Sequence, residues 1–247
     1  MNVTGLSRDG DAGRPVGSRS ERLAGRWSAR IVVTISGAYA AVMVAGFGSI
    51  GNLIDPLPDP YLAVAEVLIL LLAPAMVVLI AAVHACAPVH LRMFSLIAFG
   101  WMLVAACLTM TVHVLELVVA RRVDPGAVPG FARLFDFAWP SMWYAVDVVA
   151  WDLLLGLSLL FAAFVFTGRR YRAARRGLLV SGVLCLVGLV GPAIDVIAWR
   201  GLGILGYVVV FPVTCLALSS AFAPPTPDAD TALRGVAARD ELPAGRS

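Results

Sequence analysis

An all-α, polytopic transmembrane bundle of six helices is the fold class this sequence predicts, and three observations predict it. First, 60% of its 247 residues are hydrophobic and only 14% are charged, with a mean hydropathy of +0.87, whereas soluble chains carry about a quarter of their residues as charge. Second, six apolar runs each reach the roughly 20 residues that a helix rising 1.5 Å per residue needs to cross a bilayer core. Third, arginines gather on alternate connections between those runs, the asymmetry that orients a multi-pass chain.

Residues 1–30 are rich in Gly, Ser, Arg and Asp and have no apolar period that could bury a face, so they read as a disordered tail, ending in an interfacial turn at Trp27. About thirty polar residues also exceed the charged region of a signal peptide, which keeps the first apolar run in the mature chain. The six runs fall at 31–54, 61–85, 91–120, 140–167, 177–199 and 202–222, one transmembrane domain over 31–222. Residues 223–247, polar and proline-rich, read as a second disordered tail.

Arg8, Arg14, Arg19, Arg22, Arg26 and Arg30 lie before the first run, Arg92 in the second connection, and Arg169, Arg170, Arg172, Arg175 and Arg176 in the fourth. These belong on the cytoplasmic side of a plasma (inner) membrane, and both termini with them. The other side holds Arg121, Arg122, Arg133 and Arg200 beside Asp55, Asp59, Asp124 and Asp136. Such arginines account for the net charge of +3 through topology and anionic head groups, and a nucleic-acid partner has no support.

Within the runs, Gly37, Ala41 and Ala45 form a small-residue face on the first that lets another helix approach, including one from an oligomeric partner. Pro74, Pro192 and Pro212 each free a carbonyl about four residues earlier. The third connection places Phe131, Leu134, Phe135 and Ala138 on one helical face, the spacing of a short interfacial helix that either anchors at the surface or covers a site beneath it. Cys86, Cys107, Cys185 and Cys215 lack the spacing of a metal or redox motif and read as buried small hydrophobes. No cofactor motif is present. Nor does an internal repeat relate the two halves, as the inverted repeats of many secondary transporters would.

The chemistry lies in ionisable residues inside the runs: Glu66, His113, Glu116, Asp147, Asp152 and Asp195. A central aspartate costs roughly 2.5–3.5 kcal/mol to insert, while each Leu, Val or Phe returns about 0.3–0.6. The fourth run, with two aspartates, therefore inserts only marginally alone, and its acids need partners. Counting at 1.5 Å per residue puts Glu66 about 8 Å, His113 about 10 Å, Glu116 about 6 Å, Asp147 about 10 Å and Asp195 about 6 Å below the outer interface, with Asp152 deepest. Because successive helices alternate in direction, all of these groups share one half of the bilayer.

Facing sharpens the reading, since neighbours on a helix surface are three or four residues apart. Trp143, Tyr144, Asp147 and Trp151 make one stripe. Asp152 points about 140° away from Asp147 and shares its side with Gly156 and Ala163, which turns it toward a packed neighbour or the floor of a pocket. His113 and Glu116 share a face with Thr109 and read as a polar pair. His84 and His90 lie too far away for a three-histidine zinc site, so no metal is expected. Glu116 and Asp195, near the interface, have Arg121, Arg122 and Arg200 as available partners, and Trp139 and Trp199 read as interfacial anchors.

The stretch WPSMWYAVDVVAWDLLLGLSLLFAAFVF, with YLAVAEVLILLLAPAMVVLIAAVHA before it, resembles uncharacterised bacterial membrane proteins of about this size, a likeness that implies a fold and no activity. In architecture alone the chain is similar to small integral-membrane terpene cyclases, in which acids on separate helices protonate an isoprenoid and aromatic rings shield the cation. That similarity draws attention to Glu66 and Asp195.

The residues themselves predict an acid- and aromatic-lined site for a lipophilic small molecule in the outer half of the bundle. Asp147, Asp152 and Glu66 are its candidate catalytic acids, because desolvation favours the protonated carboxyl that a general acid requires. Trp143, Tyr144, Trp151, His113, Glu116 and Asp195 are its candidate ligand-binding residues. Two other classes stay open: a proton- or cation-linked transporter or channel, and a non-enzymatic membrane partner subunit.

Overall fold

The structure, a computed structural model, describes residues 17–50, 57–137 and 139–223, all helical or irregular and without a strand. Its helices are α1 (Arg19–Gly48), α2 (Tyr61–Ala85), α3 (Arg92–Val118), the short α4 (Phe131–Phe135), α5 (Met142–Ala163), α6 (Arg169–Ala193) and α7 (Ile197–Ala221). Six of these are long and apolar enough to cross a membrane, as expected of a multi-pass membrane protein. Their outward faces carry residues such as Val44, Leu71, Leu96, Val149, Val183 and Leu216. Exposed apolar side chains on every long helix suit a bundle solvated by lipid.

The long helices close a ring in which α1 packs on α2, α2 on α3, α3 on α5, α5 on α6, α6 on α7 and α7 back on α1. Several of these crossings depend on glycine, among them α6/α7, where a Cβ on Gly188 would lie 2.6 Å from the Gly203 Cα. At α5/α6, a Cβ on Gly182 would lie 2.9 Å from the Gly156 carbonyl oxygen, and at α1/α7 a Cβ on Gly25 would lie 2.7 Å from the Phe222 ring. Side chains fasten the helices further: Ser158 Oγ donates to the Ala98 carbonyl and Ser181 Oγ to the Gly206 carbonyl, both at 2.8 Å.

The two ends of the ring differ. At the end that holds the α2–α3 and α5–α6 connections, Leu79, Ile80, Met102, Leu155, Leu159, Leu178, Phe211 and Leu218 are fully buried and fill the axis. At the other end the axis is hollow.

Several boundaries correct the expectations. The first helix begins at Arg19 rather than at residue 31, because Ser18 and Glu21 form a reciprocal capping box there; the turn expected at Trp27 is helical. Residues 1–16, Ile54, Asp55, Ala138 and 224–247 lie outside the described residues. The fifth span runs 169–193, not 177–199: its arginine-rich start is helical, and it stops just beyond Pro192, after which Asp195 adopts a left-handed φ of 57°. Pro74, in contrast, sits within an unbroken α2. The small-residue face of α1 points outward, with nothing within 4 Å of a Cβ placed on Gly37, so within the chain it is not a close crossing.

Two helices contain π-helical turns. Residues Val149–Leu154 of α5 and Leu205–Val210 of α7 are wound with i→i+5 bonds. In α7 the cause is legible: Pro212 has no N–H to return to the Val208 carbonyl, so the preceding turn widens. In α5 the wide turn follows Asp147 and contains Asp152.

Candidate functional site

A cavity of about 670 Å³ occupies the hollow end, walled by α1, α2, α3, α5 and α7 and by the segment around α4. Most of its lining is apolar or aromatic: Tyr39, Met43 and Phe47 from α1, Ile69 and Leu72 from α2, Trp151 from α5 and Tyr207 from α7. The rings of Trp151 and Tyr207, one from each π-helical turn, stand 5.0 Å apart. Phe131, Phe135 and Phe137 close the cavity from the third connection, so α4 covers the hollow instead of only anchoring at a surface. Ser141 sets the start of α5 beside it, accepting from the Tyr144 N–H at 3.1 Å and donating to the Asp136 carbonyl.

One wall is ionic. On α3, His113 directs Nδ1 to Glu66 Oε2 on α2 at 2.5 Å and presents Nε2 to Asp147 Oδ1 on α5 at 3.4 Å. Asp147 Oδ2 in turn accepts from Arg200 Nη2 on α7 at 3.0 Å, and Arg200 Nε lies 3.5 Å from Asp152 Oδ2. Arg200 is only 4% exposed. Tyr144 steadies it from the open side, with its hydroxyl 3.3 Å from Nη1 and its ring 4.5 Å from the guanidinium carbon. A chain of five charged or chargeable groups thus crosses four helices. Buried ions persist only when paired in this way, because leaving one uncompensated costs several kcal/mol.

The π-helical turn explains how two aspartates five residues apart reach one guanidinium. On a regular α-helix they would diverge by about 140°, and the wider winding of Val149–Leu154 reduces that angle. Asp152, fully buried, lies against Gly188 and Gly203, where a Cβ on Gly203 would overlap its Oδ1. Gly203 cannot be larger without moving the carboxylate, and a Cβ on Gly188 would lie 2.6 Å from the Gly203 backbone.

Among the residues singled out from sequence, Glu66, His113, Glu116, Asp147 and Trp151 line the cavity together. Asp152 does not; it is sealed behind Arg200 against α6 and α7. Trp143 and Tyr144 also stand outside the lining, Trp143 edge-on to Phe135 at 4.9 Å and Tyr144 on Arg200. Asp195 is in the exposed α6–α7 connection, accepting from Trp139 Nε1 at 3.0 Å, because α6 has ended before it. The pairing of His113 with Glu116 is also corrected: His113 reaches across to Glu66, and Glu116 Oε2 is left buried without a hydrogen bond. Arg121 is held by Asp59.

Tyr39 and Tyr207 are site residues that sequence reasoning misses, and Arg200, expected as a partner for Glu116 or Asp195, pairs instead with Asp147 and Asp152. Arg200 carries one usable signal: it heads an apolar run, in the string Trp199-Arg200-Gly201-Leu202-Gly203, beside small residues that leave room for a neighbour. Comparison with protein families, with characterised proteins and with solved structures gives no match for this chain.

Proposed function

We propose that this chain is a plasma-membrane protein that binds a lipophilic small molecule in the cavity, with the Glu66–His113–Asp147 wall able to exchange protons with it. One observation carries the reading. A cavity within the range of about 300–1,000 Å³ typical of small-molecule sites is apolar and aromatic on most sides and meets buried, mutually paired ionisable groups on one side only. An apolar body fits the first surface and a polar head the second. In this reading both tails are cytoplasmic and the cavity opens toward the outer leaflet, which the arginine distribution supports.

The acid-catalysed form of the reading, modification of an isoprenoid or another lipid, places proton delivery at Glu116 or His113. Asp152 then acts as counter-ion to Arg200, since it is sealed from the cavity. A transporter needs a polar route through the opposite end, where Leu79, Met102, Leu155 and Phe211 fill the axis; the site reading needs none.

The test is binding of the fluorescent neutral lipophile N-phenyl-1-naphthylamine to the purified chain in dodecylmaltoside. Saturable binding above the micelle background is expected, and Ala65→Phe, which places a ring in the lining beside Glu66, should abolish it. Linear partition unchanged by Ala65→Phe would sink the proposal.

A further inference from the structure

We infer that the head group selected by this cavity is a cationic nitrogen, so that its ligand class is the lipophilic amines and quaternary ammoniums. The inference rests on the ligand site proposed above and adds the sign of the charge that the site is built to receive.

The charge balance of the buried wall is the first observation. Glu66, Glu116, Asp147 and Asp152 face one guanidinium, Arg200, and one imidazole, His113. Even with His113 protonated, the carboxyl groups outnumber the cations by two. Among the described residues no other cation makes up the difference, for Arg121 at the rim is already paired with Asp59. Charges removed from water are stable only when compensated, so a cation inside the cavity would complete the wall.

The second observation is independent of the count. Asp147 is 5% exposed and His113 2%; both line the cavity, and Asp147 Oδ1 and His113 Nε2 make no hydrogen bond. Their mutual separation of 3.4 Å is long for a charge-assisted bond. Asp147 Oδ1 is therefore an unsatisfied acceptor in the wall of the cavity, and Glu116 Oε2 is a second.

The third is the aromatic surface beside these groups. Trp151 and Tyr207 present a pair of tilted, contacting rings, and Phe137 stands 5.6 Å from the His113 ring. Aromatic faces attract alkylammonium groups most strongly where water is excluded. An anionic head is less well served: the buried guanidinium of Arg200 stands behind Asp147 and is not part of the lining, and His113 is flanked by the carboxylates of Glu66 and Asp147.

The experiment compares three ligands with the same chain, n-decyltrimethylammonium, n-decanol and decanoate, titrated against the full-length protein in nanodiscs and read by displacement of N-phenyl-1-naphthylamine. The ammonium is expected to bind at least tenfold tighter than the alcohol, with decanoate weakest. Glu116→Gln should lower the ammonium affinity about fivefold or more relative to the alcohol, whereas Asp195→Asn, on the exposed connection, should leave the order unchanged. Equal affinities for ammonium and alcohol would mean that protons balance the wall and would overturn the inference while leaving the ligand site standing. Preference for decanoate would overturn it likewise. Displacement by none of the three, with no saturable probe binding, would overturn the site itself.

Discussion

Nδ1 of His113 lies 2.5 Å from Oε2 of Glu66, a bond that joins residues 47 positions apart and ties α3 to α2 at the cavity wall. Because both groups are buried, each is the other's replacement for water. In a double-mutant cycle of Glu66→Gln and His113→Gln, unfolding in mixed micelles should reveal a coupling of about 0.5–3 kcal/mol. Additive effects would mean that the pair does not stabilise the bundle.

Arg200→Met should destabilise the chain by about 3–5 kcal/mol, because it strips Asp147 and Asp152 of their shared cation. Adding Asp147→Asn and Asp152→Asn to that variant should recover most of the loss. Chemical denaturation of the variants checks both halves of the expectation.

Gly203→Ala would ordinarily stabilise a helix by up to about 1 kcal/mol. Here the sign reverses, since the new methyl overlaps Asp152 Oδ1. Asp152→Ala should suppress the defect by removing the carboxylate, and thermal unfolding of the single and double variants measures it. A neutral Gly203→Ala would contradict the placement of Asp152.

Gly182→Ala should separate α5 from α6, because its methyl meets the Gly156 carbonyl oxygen and the Leu160 side chain. A backbone oxygen cannot rotate aside as a side chain can, so a loss of roughly 1–3 kcal/mol is expected. Thermal unfolding, with Gly100→Ala as a control in open space, is the measurement.

Cys86, in the α2–α3 connection, has its thiol pushed up to about 11, first by burial and then by the nearby Glu21 carboxylate. The thiolate is the reactive form. Alkylation at pH 8 should therefore run about a hundredfold slower than for an unperturbed thiol and should accelerate as pH rises toward 11. Mass spectrometry of iodoacetamide-treated protein follows it, and fast labelling at pH 8 would show that this corner opens.

Legibility in the sequence differs from residue to residue. Glu66, His113, Glu116 and Asp147 can be grouped at one end of the bundle by counting alone, since the rise per residue and the alternation of helices fix depth. The same count misplaces Asp195, because Pro192 ends α6 early and the count assumes a continuous helix. Helical facing leaves Asp152 turned toward either a packed neighbour or a pocket floor; the structure sets it against Gly188 and Gly203, with its partner Arg200 in what the sequence reads as a connection.

By itself, then, the sequence determined six membrane-length helices, their order, and the clustering of costly ionisable groups at one end, all consequences of local hydropathy and helical rise. Tertiary structure alone decided which groups meet: His113 with Glu66 instead of Glu116, Asp147 and Asp152 with one arginine, Trp151 with Tyr207. Partner choice depends on the angle at which each helix presents a face to the next. That angle is set by the ring closure of α1 on α7, by π-helical turns that rotate side chains off the α-helical period, and by glycines whose missing Cβ makes the close approach possible.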